Sequence, residues 1–209
     1  MKIVLKADER QLTELVSNGI TKETALLQVQ QITEFEQHRD AAAWMVLTEE
    51  DAEELESITY GKSPLLLINR VVGTLSGFPE NVVRLNGWPG FLAQHTLEAS
   101  CKNDAIKETA GLVFQCFHKS VEWAPDLKGF ITPRVISMII NEAYFALGEN
   151  ISTKEEIDIA MKLGTNYPYG PFEWAQKIGT KKIYRLLQAL SSEDRRYTPA
   201  PLLEQEAIH

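Results

Sequence analysis

Apolar positions recur at helical spacing through the last two fifths of the chain. Ile136, Ile139, Ile140, Ala143 and Leu147 mark one face of a helix that Thr132 caps, Pro133 opens and Gly148 ends. Ser152 and Glu155 have capping-box spacing for a second helix, which runs through Met161 and Leu163 to a stop at Gly164. A rigid turn from Tyr167 to Trp174 feeds a third short helix ending at Gly179, and Thr180 starts a fourth.

The earlier part of the chain has short apolar runs between helical stretches. Ile3, Val4 and Leu5 read as a buried strand, followed by a helix through Leu12, Leu15 and Val16 that ends near Gly19. Residues 21–38 are polar, with Leu27, Val29, Ile32 and Phe35 apolar, and read as a helix or a helix plus loop. Ala42 to Leu47 is a strand, and Thr48 then caps an acidic helix reaching about Ile58. Pro64 to Ile68 is apolar throughout, which predicts a central strand buried on both faces. Val82 to Leu85 and His95 to Ala99 are further strands. Asn103 caps a helix carrying Ile106, Ala110, Val113, Phe114 and Phe117, and Val121 to Trp123 is a last edge strand. Strands alternating with helices predict a reduced α/β domain of about residues 1–126, followed by an all-helical domain of about residues 127–209.

Composition narrows the partners. The 209 residues carry a net charge of −8, which argues against nucleic acid or an anionic membrane as the main partner. Lys181, Lys182, Arg185, Arg195 and Arg196 form the basic clustering, read as a solvated helix face. No apolar run approaches the roughly 18 residues of a membrane span, and the first ten residues lack a signal peptide's longer apolar region, so the chain reads as cytoplasmic. Cys101 and Cys116 suit a reduced compartment as core or near-core thiols. His38, His118 and His209 form no ligand pair, so no metal is expected.

The opening strand, turn and helix form the unit a dinucleotide-binding domain needs. Its turn should then carry glycines that let backbone N–H groups approach a diphosphate. Here the turn is Ala7-Asp8-Glu9-Arg10, with two carboxylates where phosphate would sit, so no cofactor-binding residue is assigned.

Several motifs in order resemble the 3-hydroxyacyl-CoA dehydrogenase family. They are Gly129-Phe130-Ile131, Asn141-Glu142-Ala143, Asp158 with Ala160 to Gly164, Tyr167 to Glu173, and the tail from Arg196 to Leu203. The resemblance implies a Rossmann-like α/β domain followed by the family's helical domain, acyl-CoA as ligand, a homodimer through the helical domain, and NAD as the cofactor of active members. It also implies a histidine base oriented by a glutamate, with a serine and an asparagine on the substrate oxygen.

Carried over position by position, the orienting glutamate is Glu98. The histidine's place falls on Asn86, which cannot act as a base; the serine's falls on Val71, after Asn69; and the helical-domain asparagine's falls on Pro133. Asn69, Asn86 and His95 are the candidate substrate contacts, with Glu98 as the candidate catalytic group. His95, three residues before Glu98, is the one substitute base, although period-2 alternation puts it on the opposite face. The resulting expectation is a family protein of fatty-acyl-CoA metabolism with a degraded NAD site and lost or altered catalysis, acting as an acyl-CoA-binding or partner subunit. The alternative is an active NAD-dependent dehydrogenase using His95 and Glu98.

Overall fold

The computed structural model of the protein describes residues 1–55 and 64–208. The chain divides into two compact units, Met1–Phe130 and Ile131–His209. The end of the acidic helix near Ile58 and the terminal His209 lie outside the described residues.

The first unit is built on one sheet. Its strands are β1 (Lys2–Lys6), β2 (Ala25–Gln28), β3 (Ala43–Val46), β4 (Leu65–Asn69), β5 (Val82–Leu85), β6 (Thr96–Cys101) and β7 (Ser120–Trp123). They lie in the order β2-β1-β3-β4-β5-β6-β7. All neighbours are parallel except β5 and β6, which pair antiparallel with Arg84 opposite Ser100.

Each sheet face builds its own core, because successive side chains on a strand point to opposite sides. Ile3, Leu5, Met45, Leu67 and Val83 pack with Leu15 of helix α1 (Glu9–Leu15) and Phe114 of helix α3 (Lys107–Gln115). Val4, Trp44, Ile68 and Val82 pack on the other face with Phe35 and with Leu55, just beyond helix α2 (Glu49–Glu54). β4 is fully buried at the centre, as its continuous apolar run predicts, and β7 forms an edge.

Residues 21–38 depart from expectation. They form the edge strand β2 and then a 3-10 helix, Ile32–His38. β2 is exposed at three of its four residues, so it carries no alternation to betray it. β6 begins at Thr96, one residue later than expected.

The second unit holds α4 (Thr132–Gly148), α5 (Lys154–Thr165), α6 (Pro171–Ile178), α7 (Thr180–Ser191) and α8 (Pro201–Ile208). Three of the expected caps differ. α4 includes Thr132 and starts without a side-chain cap, since Pro133 has no N–H to satisfy. In α5 the box is made one residue later: Glu156 N–H donates to Thr153 Oγ1 at 3.2 Å, Thr153 N–H donates back to the Glu156 carboxylate at 3.4 Å, and Ser152 Oγ adds a bond to the same carboxylate at 2.6 Å. That phase turns Asp158 inward. α5 also runs through Gly164 to Thr165 and ends on Asn166, whose left-handed φ of 56° an asparagine tolerates.

The family-like motifs tie this unit together. Asn141, buried on α4, donates through Nδ2 to Thr198 O at 2.9 Å and accepts Ala200 N–H at 2.7 Å, gripping the tail. Glu173 accepts Gly170 N–H and pairs with Lys162, and Glu206 accepts the Tyr144 hydroxyl at 2.6 Å and pairs with Lys154. Lys162 and then the Gly170 N–H hold the Glu173 carboxyl below its ordinary value. Burial pushes Glu206 up, but Lys154 and Tyr144 outweigh it and leave it lowered. Groups lowered on folding stabilise the native state above their unfolded pKa and lose that contribution as pH falls through the folded one. Thermal melts taken from neutral pH downward should therefore show the helical unit weakening below the ordinary glutamate range, with a shallower fall in Glu173→Gln.

Among the described residues no helix is long and apolar enough to cross a membrane.

Candidate functional site

In an open α/β sheet, ligands bind outside the carboxyl ends of the strands where the strand order reverses. Here that point lies at β1, between β2 and β3. Groups from the ends of β1, β3, β4 and β5 and from β6 line this edge of the sheet.

At the end of β1, Asp8 caps α1. Its Oδ1 accepts Gln11 N–H at 2.7 Å, and Asp8 N–H donates back to Gln11 Oε1 at 3.1 Å. Gln11 is buried, and its Nε2 donates across the strand ends to Leu47 O, just past β3, at 2.6 Å. The same carbonyl accepts Asn69 Nδ2, from the end of β4, at 2.8 Å. Asn69 Oδ1 accepts Gly87 N–H at 2.9 Å, and an added Cβ on Gly87 would come within 2.5 Å of Asn69 Cγ, so glycine permits this approach. Asn86, just past β5, accepts Trp88 N–H on Oδ1 at 3.3 Å and donates Nδ2 to Glu98 Oε2 on β6 at 3.2 Å. These bonds make one continuous chain from α1 to β6.

The segment after β5 is tied down along its length. Trp88 is wholly buried, with its indole N–H donated to Glu49 at 2.9 Å. Gly90 N–H donates to Glu14 on α1 at 2.7 Å, and Lys119 donates to Gln94 O at 3.0 Å. Burial pushes the Lys119 ammonium below its ordinary pKa. Lys6, closing β1, pairs with Asp51 at 3.0 Å and donates to Gln30 O at 2.7 Å.

The residues singled out in the sequence are thus placed as follows. Asn69 and Asn86 are 1% and 2% exposed. Glu98 is half-buried beside Asn86. His95 is exposed, just before β6, where its backbone O accepts Ser120 N–H at 2.9 Å. Asn69, Asn86 and Glu98 are brought into one network. Gln11, Glu49 and Trp88 belong to this edge, yet none stood out in the sequence. Gln11, three residues after Asp8 at capping-box spacing, was the one available signal.

Among the described residues no group of three His, Cys, Asp or Glu is placed to hold a metal ion. The helical unit has a cavity of about 530 Å³ whose lining includes Tyr144, Lys154, Glu155, Phe172, Glu173 and Glu206.

Residues 129–208 match the 3-hydroxyacyl-CoA dehydrogenase C-terminal domain. The chain is 39% identical over 116 residues to a 3-hydroxyadipyl-CoA dehydrogenase of Escherichia coli K12, covering 54% of this chain but only 24% of that protein. A 3-hydroxybutyryl-CoA dehydrogenase of Clostridioides difficile is 28% identical over 218 residues, covering 93% of this chain and 77% of that one. A crystal structure of 3-hydroxybutyryl-CoA dehydrogenase from E. coli K12 superposes with a TM-score of 0.78 at 18% identity, covering 100% of this chain and 56% of that one. At that identity the likeness is one of fold.

Proposed function

The chain belongs to the 3-hydroxyacyl-CoA dehydrogenase family through its helical unit, and from that premise we propose that it is an acyl-CoA-binding or partner subunit without dehydrogenase turnover of its own. The observation that carries this reading is Asn86. At the place the resemblance gives to a histidine base stands a carboxamide with no titratable group near neutrality, buried and bonded to Glu98. Glu98, half-buried on β6, is the group through which this edge would meet a ligand, with Asn86 bonded to it, Asn69 fixing the neighbouring Gly87 and exposed His95 just before the strand. Val71 and Pro133 stand at the serine and asparagine places, and neither side chain offers a hydrogen-bond donor.

NAD does not fit the residues at the end of β1. A diphosphate there would face the Asp8 carboxylate, which already takes the Gln11 N–H, and Glu9 beside it. No step is therefore routed through a nicotinamide cofactor.

The helical unit is the proposed self-association surface. Ile159 and Leu163, one turn apart on α5, are 53% and 83% exposed, more apolar surface than a solvated helix face needs. The free thiols Cys101 and Cys116 accord with a cytoplasmic protein. Gel filtration with light scattering at micromolar concentration should give a dimer that Leu163→Glu converts to monomer.

Activity is tested by mixing the purified chain with NADH and acetoacetyl-CoA. No loss of NADH absorbance is expected, while calorimetry detects acyl-CoA binding. Turnover abolished by Glu98→Gln would establish a working dehydrogenase, and absence of acyl-CoA binding would leave only the partner role.

A further inference from the structure

We infer that the carboxyl edge of this sheet is closed by an internal side-chain bridge, centred on Gln11, that stands in the place of a bound nucleotide. This deepens the reading of a chain without its own turnover, and it concerns the fold of the edge, which acyl-CoA binding does not test. Two groups donate to Leu47 O from opposite sides, Gln11 Nε2 from α1 and Asn69 Nδ2 from β4. The helix that follows β1 is thus joined to the end of β3, and the end of β3 to that of β4, by protein. In a nucleotide-binding sheet the same place is a crevice, filled when the ligand arrives.

The neighbouring groups are also engaged within the protein. Ala7 O accepts Gln28 Nε2 at 3.1 Å, Lys6 is held by Asp51 and Gln30, and Leu47 N–H donates to Lys6 O at 2.9 Å. The buried Trp88 and the Glu14 bond to Gly90 fasten the segment after β5 to α2 and α1. Entry of a dinucleotide requires Leu47 O to lose its partners without gaining others, and a buried carbonyl stripped of its donors is costly. The bridge therefore gives this sheet its closed edge with no cofactor.

Gln11 serves two roles that one substitution separates. Its Oε1 completes the capping box with Asp8 N–H, and its Nε2 makes the bridge. Gln11→Glu keeps an acceptor for the cap, a position where glutamate serves as well as glutamine, but turns the bridging donor into a carboxylate oxygen facing Leu47 O. Thermal unfolding of the full chain is followed for wild type and Gln11→Glu, each with and without NAD⁺, NADH, NADP⁺ or NADPH at about 1 mM.

The expected result is no nucleotide shift in the wild type and a midpoint several degrees lower in Gln11→Glu. A ligand at about a hundred times its Kd raises the midpoint of a chain this size by roughly 5–10 °C, so such a rise with any of the four overturns the closed edge. Gln11→Glu melting with the wild type overturns the bridge and leaves only a helix cap. Neither result bears on calorimetric acyl-CoA binding, so the two readings fail separately.

Discussion

Replacing Arg84 with methionine should lower the stability of the sheet unit by about 3–5 kcal/mol, the usual cost of leaving a buried ion-pair partner and its hydrogen bonds unmatched. Arg84 lies on β5 with no exposed surface. Its Nε donates to Asp126 at 2.6 Å, its Nη1 to Arg70 O and Gly73 O at 3.0 Å each, and its Nη2 to Leu127 O at 2.5 Å. The guanidinium also lies 4.0 Å from the centre of the Phe130 ring. Burial lowers its pKa despite Asp126, but a guanidinium this well supplied with acceptors stays charged.

Asp126 in turn accepts Leu75 N–H at 2.9 Å, so one side chain fastens both the segment after β4 and the end of the unit. Arg84→Lys should recover little, because a single ammonium cannot serve four acceptors in a planar fork. Asp126→Asn should cost less than Arg84→Met, since an asparagine oxygen can still accept from Arg84 Nε and the Arg70, Gly73 and Leu127 carbonyls keep their donors. Urea unfolding followed by circular dichroism checks all three. An Arg84→Met loss below about 1 kcal/mol would mean that the buried guanidinium is not a keystone.

Arg84 illustrates what could be seen in the sequence and what could not. β5 was legible as a strand, yet nothing local marked the one charged residue within it as buried. Its partners lie 11 to 43 residues away, and pairing over such distances leaves no local pattern. The closed edge was hidden for the same reason. Gln11 and Leu47 are separated by 36 residues, and Trp88 and Glu49 by 39. The missing glycines after β1 told that a diphosphate would be unwelcome, but not that glutamine and asparagine had joined the strand ends.

Local signals fared according to burial. β4 and α3 announced themselves because they sit in the core. β2 did not, being a half-exposed edge without alternation. The α5 cap slipped by one residue because Ser152 and Thr153 both satisfy the capping rule, and what chose between them was the inward turn of Asp158. The motif linking Asp158 to the Tyr167 to Glu173 turn was plain as a pattern; its physical content needed the structure.

That content makes the last prediction. Asp158 is buried on α5 and caps the next helix: its two carboxylate oxygens accept Phe172 N–H at 2.8 Å and Glu173 N–H at 3.1 Å, at the start of α6. Gly170 makes this possible by being small. Its φ of −72° suits any residue, but an added Cβ would lie 2.3 Å from Asp158 Cγ.

Gly170→Ala should thus cost about 1–3 kcal/mol by overpacking, and Asp158→Ala about 2 kcal/mol by removing the cap. If both act through one contact, the two losses cannot add. Shortening Asp158 to alanine removes the Cγ and Oδ1 clashes but leaves its Cβ 2.4 Å from the added methyl, so the double variant should lose less than the sum of the single losses while staying less stable than Asp158→Ala alone. A double-mutant cycle from urea midpoints at neutral pH measures this coupling. A sum of the single losses, within about 0.5 kcal/mol, would show that glycine at 170 answers to some other constraint and that the carboxylate cap is not what joins the two motifs.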